Sequence, residues 1–278
     1  MAKKKILFLA HEMNPYLELS DNAVMVREVP TWLQKSGQEV RVFMPRFGVI
    51  KERKHRLHEV IRLSGINIPV GEDDNPLIIK VASLPSAGMQ IYFLDNEDYF
   101  AQRGIFHDED DNTFYDDNSD RVAFYNKGIM EIIHKLGWIP DVIYSVGWMG
   151  CLTALYAKTV KRNETVFENT KFIITLQKAD FENSLGEGFA DKALVSGQMR
   201  EVLEHLDNPT IIDLYKAGIT FADGIIIGND VDPSLVEFAH QSGKPIVQQT
   251  DESNTVLAEA YYELYKNLSE DEILQSNI

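Results

Sequence analysis

Apolar residues recur along this chain in short β-rich runs: KKILFLA, EVRVFMP, PLIIKVAS, MQIYFLD, DVIYSV, KFIITLQ, GIIIG and KPIVQQ. Most are separated by segments of helical length. Strands alternating with helices predict an α/β fold, a Rossmann-like parallel sheet with helices on both faces. Ile6 to Leu9 is expected beside Val40 to Met44, in one sheet with Val142 to Tyr144, Ile173 to Thr175 and Gly224 to Ile227. From Val24 to Lys35, the apolar positions Val26, Val29 and Leu33 share one helical stripe, with Pro30 as a kink and Gly37 as the stop. Arg121 to Lys135 reads as a helix capped by Ser119 or Asp120 and ended by Gly137. Asp232-Pro233 starts another, which runs through Ala239 and ends at Gly243. The last periodic segment, Thr255 to Leu268, puts Val256, Leu257, Ala260, Tyr261, Leu264 and Leu268 on one face. Residues 46–90 are less regular and predict an antiparallel excursion on the sheet edge.

Length and composition narrow the function classes. A chain of 278 residues with 44% hydrophobic and 25% charged residues is read as one large domain, 1–278. Residues 1–230 form its core, and a strand and helices in 231–278 pack back on it. The opening MAKKKILFLA is too short in apolar residues for a secretory leader, and no run is long enough to span a bilayer. A single cysteine, Cys151, excludes an intrachain disulfide and a cysteine-based metal cluster, so the expected compartment is the cytoplasm. In the apolar context GCLTALYA it is read as a buried structural thiol. A net charge of −16 argues against nucleic acid, anionic membrane or polyphosphate as general partners, and membrane insertion is not expected. The basic stretch RFGVIKERKHR is read as solvated surface. The acidic stretch FHDEDDNTFYDDNSD lacks the glycine and the terminal glutamate of an EF-hand loop and is read as solvated too. His11 has no second histidine at ligand spacing, and His55 and His58 lie in the basic segment. No metal and no cofactor is expected.

In such a sheet, ligands bind beyond the carboxyl ends of the strands, here residues 11–23, 45–50, 145–151, 176–184 and 228–234. Those regions carry recognisable residues. HEMNPY, MPRF with its following glycine, YFLDNEDYFAQRGIF, DDNSDRVAFYNKGIMEII, GWIPDVIYSVGW, KFIITLQ and DLYKAGITFADGI stand in order and spacing. Together they resemble the starch and glycogen synthases of glycosyltransferase family five over roughly residues 4–230. The resemblance implies the N-terminal half of a GT-B glycosyltransferase. In that family two Rossmann-like domains transfer glucose from ADP-glucose to an α-1,4-glucan; this chain resembles the first, with no C-terminal nucleotide-binding domain.

The family's substrate motifs are changed here. Its lysine-threonine-glycine-glycine-leucine after the first strand aligns with Glu18, Leu19, Ser20, Asp21 and Asn22, so a cation has become an anion. Two carboxylates repel a diphosphate, and side chains at glycine positions obstruct close backbone approach. Ser20, Asp21 and Asn22 are instead expected to cap the next helix. The family's histidine-aspartate-tryptophan is Val146, Gly147 and Trp148, leaving a half-buried tryptophan that holds the loop to the core or stacks on a sugar. Its isoleucine-histidine-asparagine is Leu176, Gln177 and Lys178; glutamine hydrogen-bonds but does not titrate. The ligand cleft is expected to include Glu12, Asn14, Tyr16, Ser20, Asp21, Trp148, Gln177 and Lys178, with Glu18, Val146, Gly147 and Gln177 as vestigial catalytic positions. The expected function is a catalytically inactive binding or regulatory module whose partner is a glucan or a protein. The alternative is an active glucosyltransferase domain completed by a separate nucleotide-binding chain.

Overall fold

The computed structural model describes residues 3–276 except 85–86, 102–103, 109, 199 and 250–252, with the helical path alone for 270–276. Glu109 of the acidic stretch lies outside the described residues. The chain forms β1 (Lys5–Leu9), α1 (Asn22–Lys35), β2 (Glu39–Pro45) and a single turn, α2 (Glu52–His55). Then come β3 (His58–Glu59), β4 (Ile66–Val70), β5 (Asp73–Leu84), β6 (Met89–Asp95), α3 (Asn118–Leu136) and β7 (Val142–Val146). They are followed by α4 (Leu152–Thr159), α5 (Lys161–Glu164), β8 (Lys171–Leu176), α6 (Phe189–Ala193), α7 (Ile211–Phe221) and β9 (Gly224–Ile227). The last elements are α8 (Pro233–Gln241), β10 (Ile246–Gln248) and α9 (Asn254–Ser276).

The strand order is β10-β9-β8-β7-β1-β2-β6-β5-β3, with β4 paired to the far end of β5. From β10 to β6 every neighbouring pair is parallel. Every residue of β7 and β8 is buried, as it must be where helices cover both faces. The PLIIKVAS run belongs to the antiparallel excursion: β5 pairs antiparallel with β6, β3 and β4. From β1 the chain first winds outward through β2 and β6, then returns to lay β7 to β10 on the other side. That reversal makes the carboxyl ends of β1 and β7 the switch point of the sheet, the place where open α/β sheets bind ligands.

Helix entries depart from the sequence reading. Asp21 precedes α1 with helical φ/ψ and no side-chain cap bond. Helix α3 begins at Asn118, after Asp117, so Ser119 and Asp120 lie in its first turn rather than capping it. Asn118 is drawn into the helix by bonds on both sides of its amide: Nδ2 donates to Phe106 O at 2.9 Å, and Oδ1 accepts from Arg121 at 2.8 Å. Asp232 does cap α8, accepting from the Ser234 amide at 2.8 Å.

Helix α9 packs on α1 and against β8, β9 and β10. Its centre is Tyr261, fully buried, whose hydroxyl lies 3.1 Å from Thr175 Oγ1. The Tyr144 hydroxyl donates to Tyr261 O at 2.6 Å, and the Phe8, Tyr144 and Tyr261 rings pack together. Leu257, Leu264 and Tyr265 are buried beside them. Val256 departs from the expected apolar face: it is 42% exposed, while its neighbours Leu257 and Ala258 are the ones turned inward. Among the described residues, no helix is long and apolar enough to cross a membrane.

Candidate functional site at the carboxyl ends of the strands

The loop leaving β1 is organised by one acid. Glu12 is buried, and its Oε2 accepts from the backbone amides of Leu19 and Ser20 at 2.8 Å each, while Oε1 accepts from the Ser20 hydroxyl at 2.6 Å. Ser20 Oγ in turn accepts from the Asn22 amide at 3.1 Å, so Ser20 supports the start of α1 where Asp21 does not. The expected capping role falls to Ser20 and, through it, to Glu12. Two consecutive amides at a helix entry form a natural anion site; here a carboxylate of the same chain fills it.

Glu18 points away from that pair. Its carboxylate accepts from Asn14 Nδ2 at 2.5 Å, and Asn14 Oδ1 accepts from Arg27 Nη1 at 2.7 Å. Tyr16 is buried against Phe93 and His55, with ring centroids 5.0 Å away in both cases, and burial pushes its hydroxyl up to about 12. Ser20 and Asp21 are solvent-exposed.

Across the switch point, Val146 ends β7 and Gly147 turns the chain with φ +81°. A Cβ on Gly147 would stand 3.1 Å from His11 Cε1 and 3.2 Å from Gln177 Oε1. His11 and Gln177 thus lie against the position where a side chain at residue 147 would begin. Trp148 is 1% exposed rather than half-buried. Its ring lies 5.3 Å from that of Phe106 and 5.2 Å from that of Phe181, and its Nε1 donates to Asp180 Oδ2 at 2.5 Å. Covered in this way, the indole offers no open face for sugar stacking.

The same Asp180 oxygen stands 3.1 Å from His11 Nε2 as an ion pair. Burial pulls the His11 imidazole down, but the Asp180 carboxylate, helped by Glu12, outweighs it and holds the imidazole above its ordinary value. Burial pushes Asp180 up; His11 and the Trp148 N–H more than reverse that and hold it below the usual carboxylate range. Gln177 is buried and its Nε2 finds no acceptor, while its backbone amide donates to the Tyr215 hydroxyl at 3.1 Å. Lys178 is exposed.

The structure therefore brings His11, Gly147, Trp148 and Gln177 into one wall at the ends of β1, β7 and β8, with Glu12 and Ser20 paired at the start of α1 and Lys178 and Asp21 in solvent. The sequence reading missed Asp180 and the pairing of His11. Asp180 does lie within the 176–184 loop, but 169 positions separate the partners, and no motif spacing announces them.

Helix α3 fixes this wall from behind. Its Tyr125 hydroxyl donates to Phe43 O at 2.8 Å, and Asn126 Nδ2 donates to Met149 O at 2.7 Å, tying β2 and the loop after β7 to one helix. Arg46 is buried 3.1 Å from Asp95, whose other oxygen lies 2.8 Å from Lys80 Nζ. Gly48 is required by a close backbone approach: a Cβ there would meet Ala101 O at 2.7 Å.

These segments are the ones a known family shares. The model of the starch synthase catalytic domain matches residues 5–231. The chain belongs to this family. A glycogen synthase of Chlorobium luteolum is 36% identical to it over 206 residues, covering 73% of this chain and 42% of that protein. A glycogen synthase of Chlorobaculum tepidum is 35% identical over 228 residues, 81% of this chain and 46% of that one. The catalytic domain of starch synthase IV from Arabidopsis thaliana, solved bound to ADP and acarbose, superposes with a TM-score of 0.72 at 15% identity, over 91% of this chain and 52% of that one. This starch-synthase-family chain spans about half the length, or less, of the relatives it matches.

Proposed function

We propose that this chain is a starch-synthase-family domain that does not transfer glucose by itself and serves as a binding or regulatory module. The residues at the family's lysine and glycine positions carry the reading: Glu18 stands where the family has its cation, and Ser20 and Asp21 put side chains, one of them a carboxylate, where it has bare backbone. The amides of Leu19 and Ser20 are also already engaged by Glu12. Around the sugar-facing positions, Gly147 has no side chain, Gln177 does not titrate, and Phe106 and Phe181 cover Trp148. The starch synthase IV structure holds ADP and acarbose; the corresponding ligands here would meet a filled cradle and a covered aromatic. The module would work in the cytoplasm with a glucan or a protein as its partner.

A second reading is an active domain that works with a separate nucleotide-binding chain, and the family match over residues 5–231 supports it. One experiment separates the two. Calorimetry with ADP-glucose, ADP and maltooligosaccharides is combined with a radiolabelled-glucose transfer assay, using the pure chain alone and with lysate from its own source. The module reading expects no transfer in either arm and no heat from ADP-glucose. Transfer by the pure chain overturns it, and transfer only with lysate establishes the split enzyme.

A further inference from the structure

Remote from the strand ends, a groove of about 450 Å³ opens between β4, the later turns of α3, the α4–α5 junction and residues 195–196. That volume lies within the range of small-molecule sites. Its lining is mainly apolar, with Ile66, Ile68, Met130 and Val195. Among them stands Lys127, one helical turn before Met130.

Lys127 is 6% exposed. Its Nζ donates to Pro69 O and to Lys192 O, both at 2.7 Å. Among the described residues, no carboxylate comes within ion-pair distance of it. The acids nearby have other partners: Glu131 pairs with Arg162, and Asp120 with Lys192. Burial alone lowers the Lys127 ammonium to about 8, so it still carries its charge at neutral pH. A buried cation without a counter-ion is costly, and an anion entering from the groove would offset that cost. An ammonium has three hydrogens, and two carbonyls account for two of them.

We propose that this groove binds a small amphipathic anion, a carboxylate on an apolar body, with the Lys127 ammonium as its counter-ion. Ile68, Met130 and Val195 surround the apolar part. The site is independent of the one at the strand ends and of whether any glucose is transferred there. A purely structural Lys127, stapling β4 to α6 through its two carbonyls, would show no preference for a charged ligand.

The test is calorimetry on the full chain with octanoate, and with octanol as the neutral control. Methyl NMR of Ile68, Met130 and Val195 locates the ligand. Octanoate should bind saturably and shift those methyls, with octanol weaker by roughly tenfold or more. Lys127→Met should remove that preference. Octanoate affinity should also fall as pH rises past about 8, where the free ammonium loses its proton. Of the groove's other titratable lining residues, Glu131 and Arg162 pair with each other, and burial pushes Tyr156 up, away from this range. Ser196→Trp, at the exposed rim, should weaken both ligands and gives a second variant should Lys127→Met not fold. Equal binding of octanoate and octanol, an unchanged preference in Lys127→Met, or no methyl shifts at millimolar octanoate overturns the proposal.

Discussion

The Glu12 carboxylate accepts from the amides of Leu19 and Ser20 at 2.8 Å each, so the entry to α1 is held by an acid from the preceding strand end. Glu12→Ala should lower stability by about 1–2 kcal/mol, because two amides and a hydroxyl at the exposed entry to α1 lose a charged acceptor together. Glu12→Gln, which keeps one acceptor oxygen, should cost less. Urea denaturation checks both; midpoints equal to the parent's would contradict the role given to Glu12.

His11 and Asp180 make a pH prediction. The His11 pKa is raised on folding, so the contribution is fully present below the unfolded value, about 6.5, and is lost as pH rises through the folded value. Melting temperature should therefore decline from pH 6.5 upward more steeply in the parent than in His11→Gln. Asp180, whose carboxyl is depressed, works in the opposite direction, losing its contribution as pH falls below the usual carboxylate range. Parallel pH profiles for parent and variant would refute the His11 assignment.

Gly147 offers a steric test. With φ +81° and His11 and Gln177 within 3.2 Å of the missing Cβ, Gly147→Ala should destabilise by about 1–3 kcal/mol. Truncating the obstruction in the double variant His11→Ser, Gly147→Ala should recover part of that loss. A double variant whose loss equals the sum of the two single losses would show that the cost lies in the backbone alone.

Arg46 and Asp95 form a buried pair that Lys80 also joins. Asp95→Ala leaves Arg46 and Lys80 with Glu52 alone, 3.6 Å and 2.6 Å away, and should cost about 1–3 kcal/mol. Thermal melts resolve a loss of that size, and a loss below 1 kcal/mol would show that water or Glu52 replaces the carboxylate.

Much of this architecture is legible in the sequence, for a physical reason. Strands such as Ile6 to Leu9 are apolar because helices cover both of their faces, so burial is written directly into residue type. The start of α3 is not legible in that way: Ser119 and Asp120 are good caps, yet Asn118 bonds to Phe106 and Arg121 and carries the helix past them. Trp148 shows the same limit. Its burial depends on Phe106 and Phe181, which approach from loops 42 and 33 positions away. Glu12 stands out in the sequence only by its place after β1, and its filling of the amide pair emerges only when the loop closes back on it.

The Tyr261 hydroxyl ties α9 to the sheet, so Tyr261→Phe should cost about 1 kcal/mol through Thr175, and Tyr261→Ala about 3–5 kcal/mol through the lost ring. Guanidinium titration of both variants checks this. Similar small losses for the two would mean that α9 is only loosely seated.

That ring also sets an order of events during synthesis. Tyr261 meets Thr175, Tyr144 and Met25 across sequence separations of 86, 117 and 236 residues. A ribosome delivers Phe8, Met25 and Tyr144 long before it delivers the residue that covers them. Until then the growing chain carries a wet aromatic face on an otherwise pairable sheet, the kind of surface that holdase chaperones grip. The helix that covers this face also ends its exposure to them.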